Sequence, residues 1–533
     1  MLEPYRVLDL TDEREGFAGF LLALLGADVV AVEAAERPSD LRRLAYGRGK
    51  RSVVVDPASA ELTRLVEGAD VLIETGLPPG WDGTRLAAVN PALVHVAITP
   101  FGPDGPKAAW PDDDLVLWAA SGAMANCGDA DRPPVRPSVP QAWCHAGAAA
   151  VAGALGALAE RARSGRGQRV DVSVQQADTI ATQSTLLAPR YRSPIPRRTT
   201  GGLTIDKVAY RGLYPAADGW VTITHVFGAV VGPFTQRLMV WAHEEGHCDE
   251  ALVDKDWIHY EQLLNEGREP LEEWERAKAA VESLTRSKTK VELLAGAIER
   301  RLVMAPISTV ADVLANPQLE DRDFWDDVDG VRQPGLFVRG FALSQRRLAA
   351  APAPGADTDA VLAEPPRRPA VPQRIDVESA QRIGEPTQRI DVESTAPLAG
   401  VKVVDLMWAV AGPTSARVLA DLGATVVRVE SSRRQDPARN YSPYLDGVAG
   451  PERSGIFNNQ NAGKLGITLD LTRPEGRAVL ADLASWADVL MESYSPRAMA
   501  GWGLGYDTLS ARNPSLIMLS SCLFGQTLSL IHI

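Results

Sequence analysis

Apolar residues fall in short runs separated by longer amphipathic stretches. The run YRVLDL, starting at Tyr5, is followed by a helical stretch ending at Gly26 and by a second run, DVVAVE, ending at Glu33. Strand, helix and strand within about 30 residues predicts a βαβ unit, and hence a parallel sheet with right-handed crossovers. The pattern returns late in the chain as VKVVDL, a helical stretch to Gly423, and TVVRVE to Glu430. The predicted class is therefore α/β. Ligands of such sheets bind beyond the carboxyl ends of the strands, so the loops after Leu10, Glu33, Leu406 and Glu430 are the places to look for chemistry. The longest apolar run, Ala146 to Ala159, has 14 residues. A membrane span needs about 20, so this run predicts a closely packed core helix.

The two βαβ segments are copies of one sequence, because their landmarks continue in order. GRGKRSVVVD (Gly47 to Asp56) matches NAGKLGITLD (Asn461 to Asp470), and ADVLIE (Ala69 to Glu74) matches ADVLME (Ala487 to Glu492). NPALVHVAITPFG, ending at Gly102, matches NPSLIMLSSCLFG, ending at Gly525. Constant spacing within ordered blocks indicates a tandem duplication. Between the copies, from about Ala349 to Pro397, the chain is rich in Pro and Ala and carries QRIDVES twice. That composition predicts a solvated linker. The first copy then occupies residues 1–348 and the second, a partial copy, residues 398–533.

Composition narrows the chemistry. A net charge of -13 excludes a nucleic-acid surface, which needs a basic footprint. Cys127, Cys144, Cys248 and Cys522 show neither disulfide-framework nor metal-ligand spacing, and the first residues lack a signal-peptide pattern. Together these point to a reducing cytoplasm and no membrane. Neither first strand is followed by G-x-G-x-x-G, and GRGKRS lacks the spacing of a P-loop, so nucleotide fingerprints are absent. HEEGH, His243 to His247, fits a zinc pattern, but Gly246 weakens the helix that pattern requires, and no metal is expected.

The blocks AGPTSARVLADLGATVVRVE, GKLGITLDL, ADVLMES and LGYDTLSARNPSLIMLSSCLFGQT resemble the amino-terminal half of the family III CoA-transferases, the carnitine and bile-acid CoA-transferase group. SGAMANCGDADRPPV, GALGALAERARSGRGQRVDVS, YPAADGWVTIT and NPQLEDRDFW extend the likeness over residues 1 to 345. The resemblance implies a Rossmann-like large domain with a parallel sheet (about 1–220 and 325–348) and a smaller inserted domain (about 221–324). It also implies two polypeptides threaded through each other, here an intramolecular pseudo-dimer of the two copies or a homodimer. The implied substrates are coenzyme A as acyl-CoA and a small carboxylic acid, exchanged through an aspartyl intermediate. Coupling to lyase chemistry on the acyl chain and a non-catalytic CoA-binding or scaffold role are the alternatives.

In that family the aspartate lies six residues after the first Val of the VDVS strand, and counting from Val170 reaches Gln176. An amide cannot form the mixed anhydride, so the catalytic carboxylate is expected in the second copy's counterpart, near position 599, give or take about ten residues. Asp178 is the carboxylate nearest Gln176, with a solvated or capping role as its simplest reading. The histidine of the related racemases aligns with Ala125, which leaves proton shuttling there without partners. Arg42, Arg43, Arg48, Lys50 and Arg51 form a basic cluster suited to phosphates. In the second copy Lys464, Arg433, Arg434 and Arg439 are the candidates. By resemblance, adenine and pantetheine would lie along Trp408, Val410, Ala411, Leu469 and Met499. The family's Asn and Phe after ADVLVE are Ser493 and Tyr494 here, and Thr75 and Gly76 in the first copy.

Overall fold

The computed structural model describes residues 1–533 except 13, 37–39, 183–184, 229–230, 341–346, 371–395, 523–524 and 527–533. It divides into two compact units. The first combines residues 1–123, 136–181 and 323–400, and the second combines 124–135, 182–322 and 401–533.

The first unit is built on β1 (Arg6–Leu10), β2 (Asp28–Val32), β3 (Arg51–Val53), β4 (Val71–Glu74), β5 (Val94–Thr99) and β6 (Arg169–Ser173). These strands are all parallel and lie in the order β3-β2-β1-β4-β5-β6. Val96 and Leu72, in central strands, have no solvent-exposed surface, as expected where helices cover both faces. The winding reverses between β1 and β4, which opens a crevice at their carboxyl ends. Helices α1 (Phe17–Leu24), α2 (Leu41–Tyr46), α3 (Asp114–Ser121), α4 (Ala142–Ser164) and α5 (Val174–Asp178) surround that end and the faces of the sheet.

The Ala/Gly run predicted as a core helix is α4. Its small residues let it approach α1 and β6 closely: a Cβ on Gly153 would sit 2.6 Å from Val170. Ala146, Ala150 and Ala154 are fully buried. Among the described residues this is the helix long and apolar enough to cross a membrane, and it is mostly buried inside the unit.

The segment expected to be a solvated linker departs from that expectation over 349–370, next to the end of the first copy at Leu348. Leu348 and Val361 are buried, the latter in the short helix α6 (Thr358–Ala363). The Ser52 amide donates to Asp357 at 2.8 Å, and Glu364 pairs with Arg6 and Arg51. The amide of Ala370 donates to Asp70 at 2.7 Å. Composition missed this strap because a few apolar side chains and carboxylates, set among Pro and Ala, suffice to cover β3. The duplicated QRIDVES segments lie outside the described residues.

The second unit contains a core packed around Trp241, Trp257, Trp274, Tyr214 and Tyr260. Three antiparallel strands, Leu213–Ala216, Gly219–Ile223 and Met304–Pro306, lie against helices Leu271–Arg286 and Lys290–Glu299, and helix Gly232–Glu244 packs on Leu271–Arg286. The same unit holds a second parallel sheet: β7 (Lys402–Leu406), β8 (Thr425–Glu430), β9 (Leu465–Thr468), β10 (Val489–Glu492) and β11 (Ile517–Ser520), in the order β9-β8-β7-β10-β11. α7 (Ala411–Asp421) follows β7. Residues ahead of the aromatic core grip the later copy: the Asp446 amide donates to the Tyr191 carbonyl at 2.7 Å, and Asn458 donates to the Tyr191 hydroxyl at 3.2 Å.

Candidate active site

At the second sheet's reversal point, the loop after β7 meets the loop after β10. The Trp408 amide donates to the Ser493 hydroxyl at 2.8 Å, and the Trp408 ring lies 6.2 Å from that of Tyr494. Arg434 places its guanidinium 4.9 Å from the Trp408 ring centroid. It is exposed and has no carboxylate partner among the described residues. Ala409, with φ of +63°, occupies a backbone conformation that a Cβ disfavours, and its amide donates to Asp436 at 3.3 Å. Such strain held in place by a buried carboxylate is a frequent property of ligand loops. Val410 precedes the first turn of α7 and Ala411 opens it, exposed, while Met499 is buried and Leu469 packs against the same apolar cluster.

The first sheet makes the equivalent contact, with the Asp12 amide donating to Thr75 at 3.1 Å. Its crevice, of about 190 Å³, is nevertheless of a different kind. Four acidic and four basic side chains line it, and Pro352 of the strap closes one side. Arg43 forks onto Glu33 at 2.9 and 2.7 Å and also donates to the Pro352 carbonyl. Lys50 donates to Asp9 at 2.6 Å and to the Gly16 carbonyl at 2.9 Å, Arg48 is spent on backbone carbonyls, and Arg51 pairs with Asp28 and Glu364. Arg42 lines the crevice and is exposed. Of the predicted phosphate cluster, therefore, Arg43, Arg48, Lys50 and Arg51 already have internal partners, which sequence spacing cannot show.

Lys464 repeats the Lys50 arrangement, donating to Asp405 at 2.8 Å and to the Pro413 carbonyl at 2.8 Å. Its side chain is 1% exposed, and burial pulls the ammonium below its ordinary value despite Asp405. It braces the loop after β7 from beneath and does not present itself to a ligand. Arg439 is held by Glu430 and lies over Phe457, whereas Arg433 is exposed beside Asp470. Arg434 and Arg433 are thus the cations best placed to meet phosphates.

Gln176 and Asp178 both sit in α5, where two residues correspond to about 200° of rotation. Gln176 is exposed and Asp178 is fully buried, so the solvated reading of Asp178 does not hold. Oδ2 of Asp178 accepts from the Ser121 hydroxyl at 2.6 Å, and Oδ1 meets His145 Nδ1 at 2.8 Å. The imidazole is 31% exposed, and its ring lies 6.4 Å from that of the buried Trp118. Sequence reasoning looked for a histidine at Ala125 and missed this one. Its trace was a histidine next to the Ala- and Gly-rich run at the start of α4. Nearby, burial raises Glu15 to about 8, with one carboxylate oxygen lacking a partner among the described residues. Counting back from the carbonyls that receive the two lysines, Glu15 stands opposite Gly412.

The zinc pattern does not assemble a ligand pair. The helix carrying His243 ends at Glu244, Gly246 takes φ of +79°, and His247 bonds Ser283 at 2.8 Å while His243 bonds the Cys248 carbonyl at 3.0 Å.

Residues 2–358 and 398–529 both match the sequence profile of CoA-transferase family III. The chain belongs to that family. It is 34% identical over 352 residues to subunit BbsE of succinyl-CoA:(R)-benzylsuccinate CoA-transferase from Thauera aromatica, covering 60% of this chain and 82% of that protein. It is 28% identical over 535 residues to the probable CoA-transferase Rv1866 of Mycobacterium tuberculosis, covering 95% of this chain but 62% of that relative's length. A crystal structure of a CaiB/BaiF family protein from Brucella suis aligns with a TM-score of 0.56 at 26% identity, over 67% of this chain and 97% of that one.

Proposed function

We propose that this protein transfers coenzyme A between an acyl-CoA thioester and a small carboxylic acid, with the nucleotide held at the second sheet. The observation that carries this reading is the corner of Trp408 and Arg434 at the second sheet's reversal point, within the second family match. A guanidinium without an internal carboxylate is free to pair with phosphate, and an indole face beside it suits adenine. The first crevice, balanced in charge and bordered by the strap, is not where we place the nucleotide.

Transfer through an aspartyl intermediate needs a carboxylate that attacks the thioester. Gln176 cannot supply one, and both oxygens of Asp178 are engaged, so the nucleophile comes from outside the turn Val174–Asp178. The second copy's counterpart of that turn is where we place it, within an intramolecular pair of copies. Gln176 also favours a second reading, a CoA-binding protein without transfer activity. Titration with CoA tests both readings, and incubating an acyl-CoA with labelled carboxylic acids separates them. Binding that weakens with salt, together with label entering the thioester pool, is expected of the transferase. Binding without exchange selects the second reading, and no binding at low salt removes both.

A further inference from the structure

Asp178 and His145 play no part in the transfer reading, yet three elements converge to hold them. α3 supplies Ser121 and Trp118, α4 supplies His145, and α5 supplies Asp178. We propose that this pair is a carboxylate-oriented imidazole base that hydrolyses an acyl thioester, an activity distinct from transfer; it rests on the acyl-CoA reading above but not on which sheet holds the nucleotide.

A buried carboxylate with both oxygens occupied is a poor nucleophile but a good positioning group. Being acceptor-only, it fixes the hydrogen of His145 on Nδ1 and leaves the lone pair on Nε2. The tautomer that results is that of a general base. Ser121, 2.6 Å from the other oxygen, keeps the carboxylate from rotating, and Trp118 limits the tilt of the ring. The imidazole is 31% exposed, whereas its carboxylate partner is 0% exposed. An ion pair that served only stability would gain little from that asymmetry.

The surroundings point the same way. The first turn of α4 borders the first crevice: Cys144 lies 3.9 Å from the hydroxyl of Tyr46, a lining residue. Two residues before Asp178 in α5, the exposed position that holds the family's carboxylate carries Gln176 instead. With no carboxylate at that position to take the acyl group, water is the nucleophile that an oriented imidazole can activate there. Nε2 of His145 takes a proton from water as the water oxygen bonds to the thioester carbonyl carbon. The carbon–sulfur bond then breaks, and the imidazolium returns its proton to the departing thiolate. The products are the free carboxylic acid and CoA thiol, so atoms and charge balance with water as the only co-reactant. His145 is the catalytic residue of this step, and Asp178 is its positioning residue.

Acetyl-CoA is the probe, used with the full chain, with thiol release followed colorimetrically and binding followed by calorimetry. We expect wild-type turnover, a fall of about 100-fold or more in His145→Ala at unchanged acetyl-CoA affinity, and partial recovery when free imidazole is added. Asp178→Asn should lower turnover as well. If that variant fails to fold, His145→Gln, altering a partly exposed group, stands in as the second variant. Recovery with imidazole is something a structural histidine would not show. Binding without wild-type turnover, turnover unaffected by His145→Ala, or a loss that imidazole does not restore each overturns the proposal. Absence of acetyl-CoA binding instead overturns the acyl-CoA reading and takes this inference with it.

Discussion

The two parallel sheets share five strands in the same order, a buried lysine–aspartate pair beneath the first loop, and a hydroxyl receiving that loop's amide. They differ in what surrounds them. The first sheet has β6 and α4 beyond β5, a strap along β3, and cations matched to carboxylates. Among the described residues the second sheet's last strand is β11, where Ile517 is 63% exposed, and its reversal point carries Arg434, which has no carboxylate partner among them. The shared parts are what the fold needs to form the crevice. The differing parts decide which crevice is left open to an anionic ligand.

The sharpest way to break the comparison is at the strand beside the edge. Val96→Asp in β5 places an unpaired charge in a fully buried position and should cost more than about 4 kcal/mol, enough to unfold the first unit in a urea titration. The lysine pairs come next. Lys50→Met leaves Asp9 buried without its cation, and Lys464→Met leaves Asp405 only its longer contact with Arg428 at 3.5 Å, so each should cost on the order of 3–5 kcal/mol. Similar losses at the two sites would show that both lysines are structural, whereas loss of CoA binding in a folded Lys464→Met would return that residue to the site.

Glu15, opposite Gly412, gives the first sheet a pH dependence with no counterpart at that position in the second. Burial raises its folded value to about 8 from an ordinary 4.5, so the folded form holds a proton that the unfolded chain has released. Its contribution is therefore fully present below about pH 4.5 and is lost as pH rises toward 8. Glu15→Gln should raise stability at pH 7–8 by on the order of 2–3 kcal/mol and flatten the decline, as read by denaturation at several pH values. A smaller effect is expected at the open crevice. Arg434→Ala should weaken CoA binding about tenfold, or roughly 1.4 kcal/mol, without changing the melting temperature. Smallest of all, Leu519→Lys on the exposed side of β11 should change stability by less than about 0.5 kcal/mol. A large loss there would mean that β11 is covered in solution.

Much of the fold could be read in the chain, because duplicated βαβ segments carry their periodicity, their glycine stops and their buried strands locally. Gly26 and Gly423, at φ of +110° and +97°, end α1 and α7 where the sequence placed those ends. The sites were less legible. Basic residues near a strand end look alike in sequence whether they face phosphate or a carboxylate many residues away, as Arg51 does with Glu364. The partnership of His145, Asp178 and Ser121 joins three separate helices, and only packing brings them together. The strap was hidden by its composition, since its contacts run mostly through backbone groups and a few carboxylates.

Calorimetric titration of the full chain with CoA at low and moderate salt tests the central claim most directly. One CoA per chain is expected, with an affinity that falls as salt rises and is mostly lost in Arg434→Ala but not in a folded Arg51→Ala. Two equivalent CoA molecules per chain, or binding that depends on Arg51 and ignores Arg434, would contradict it.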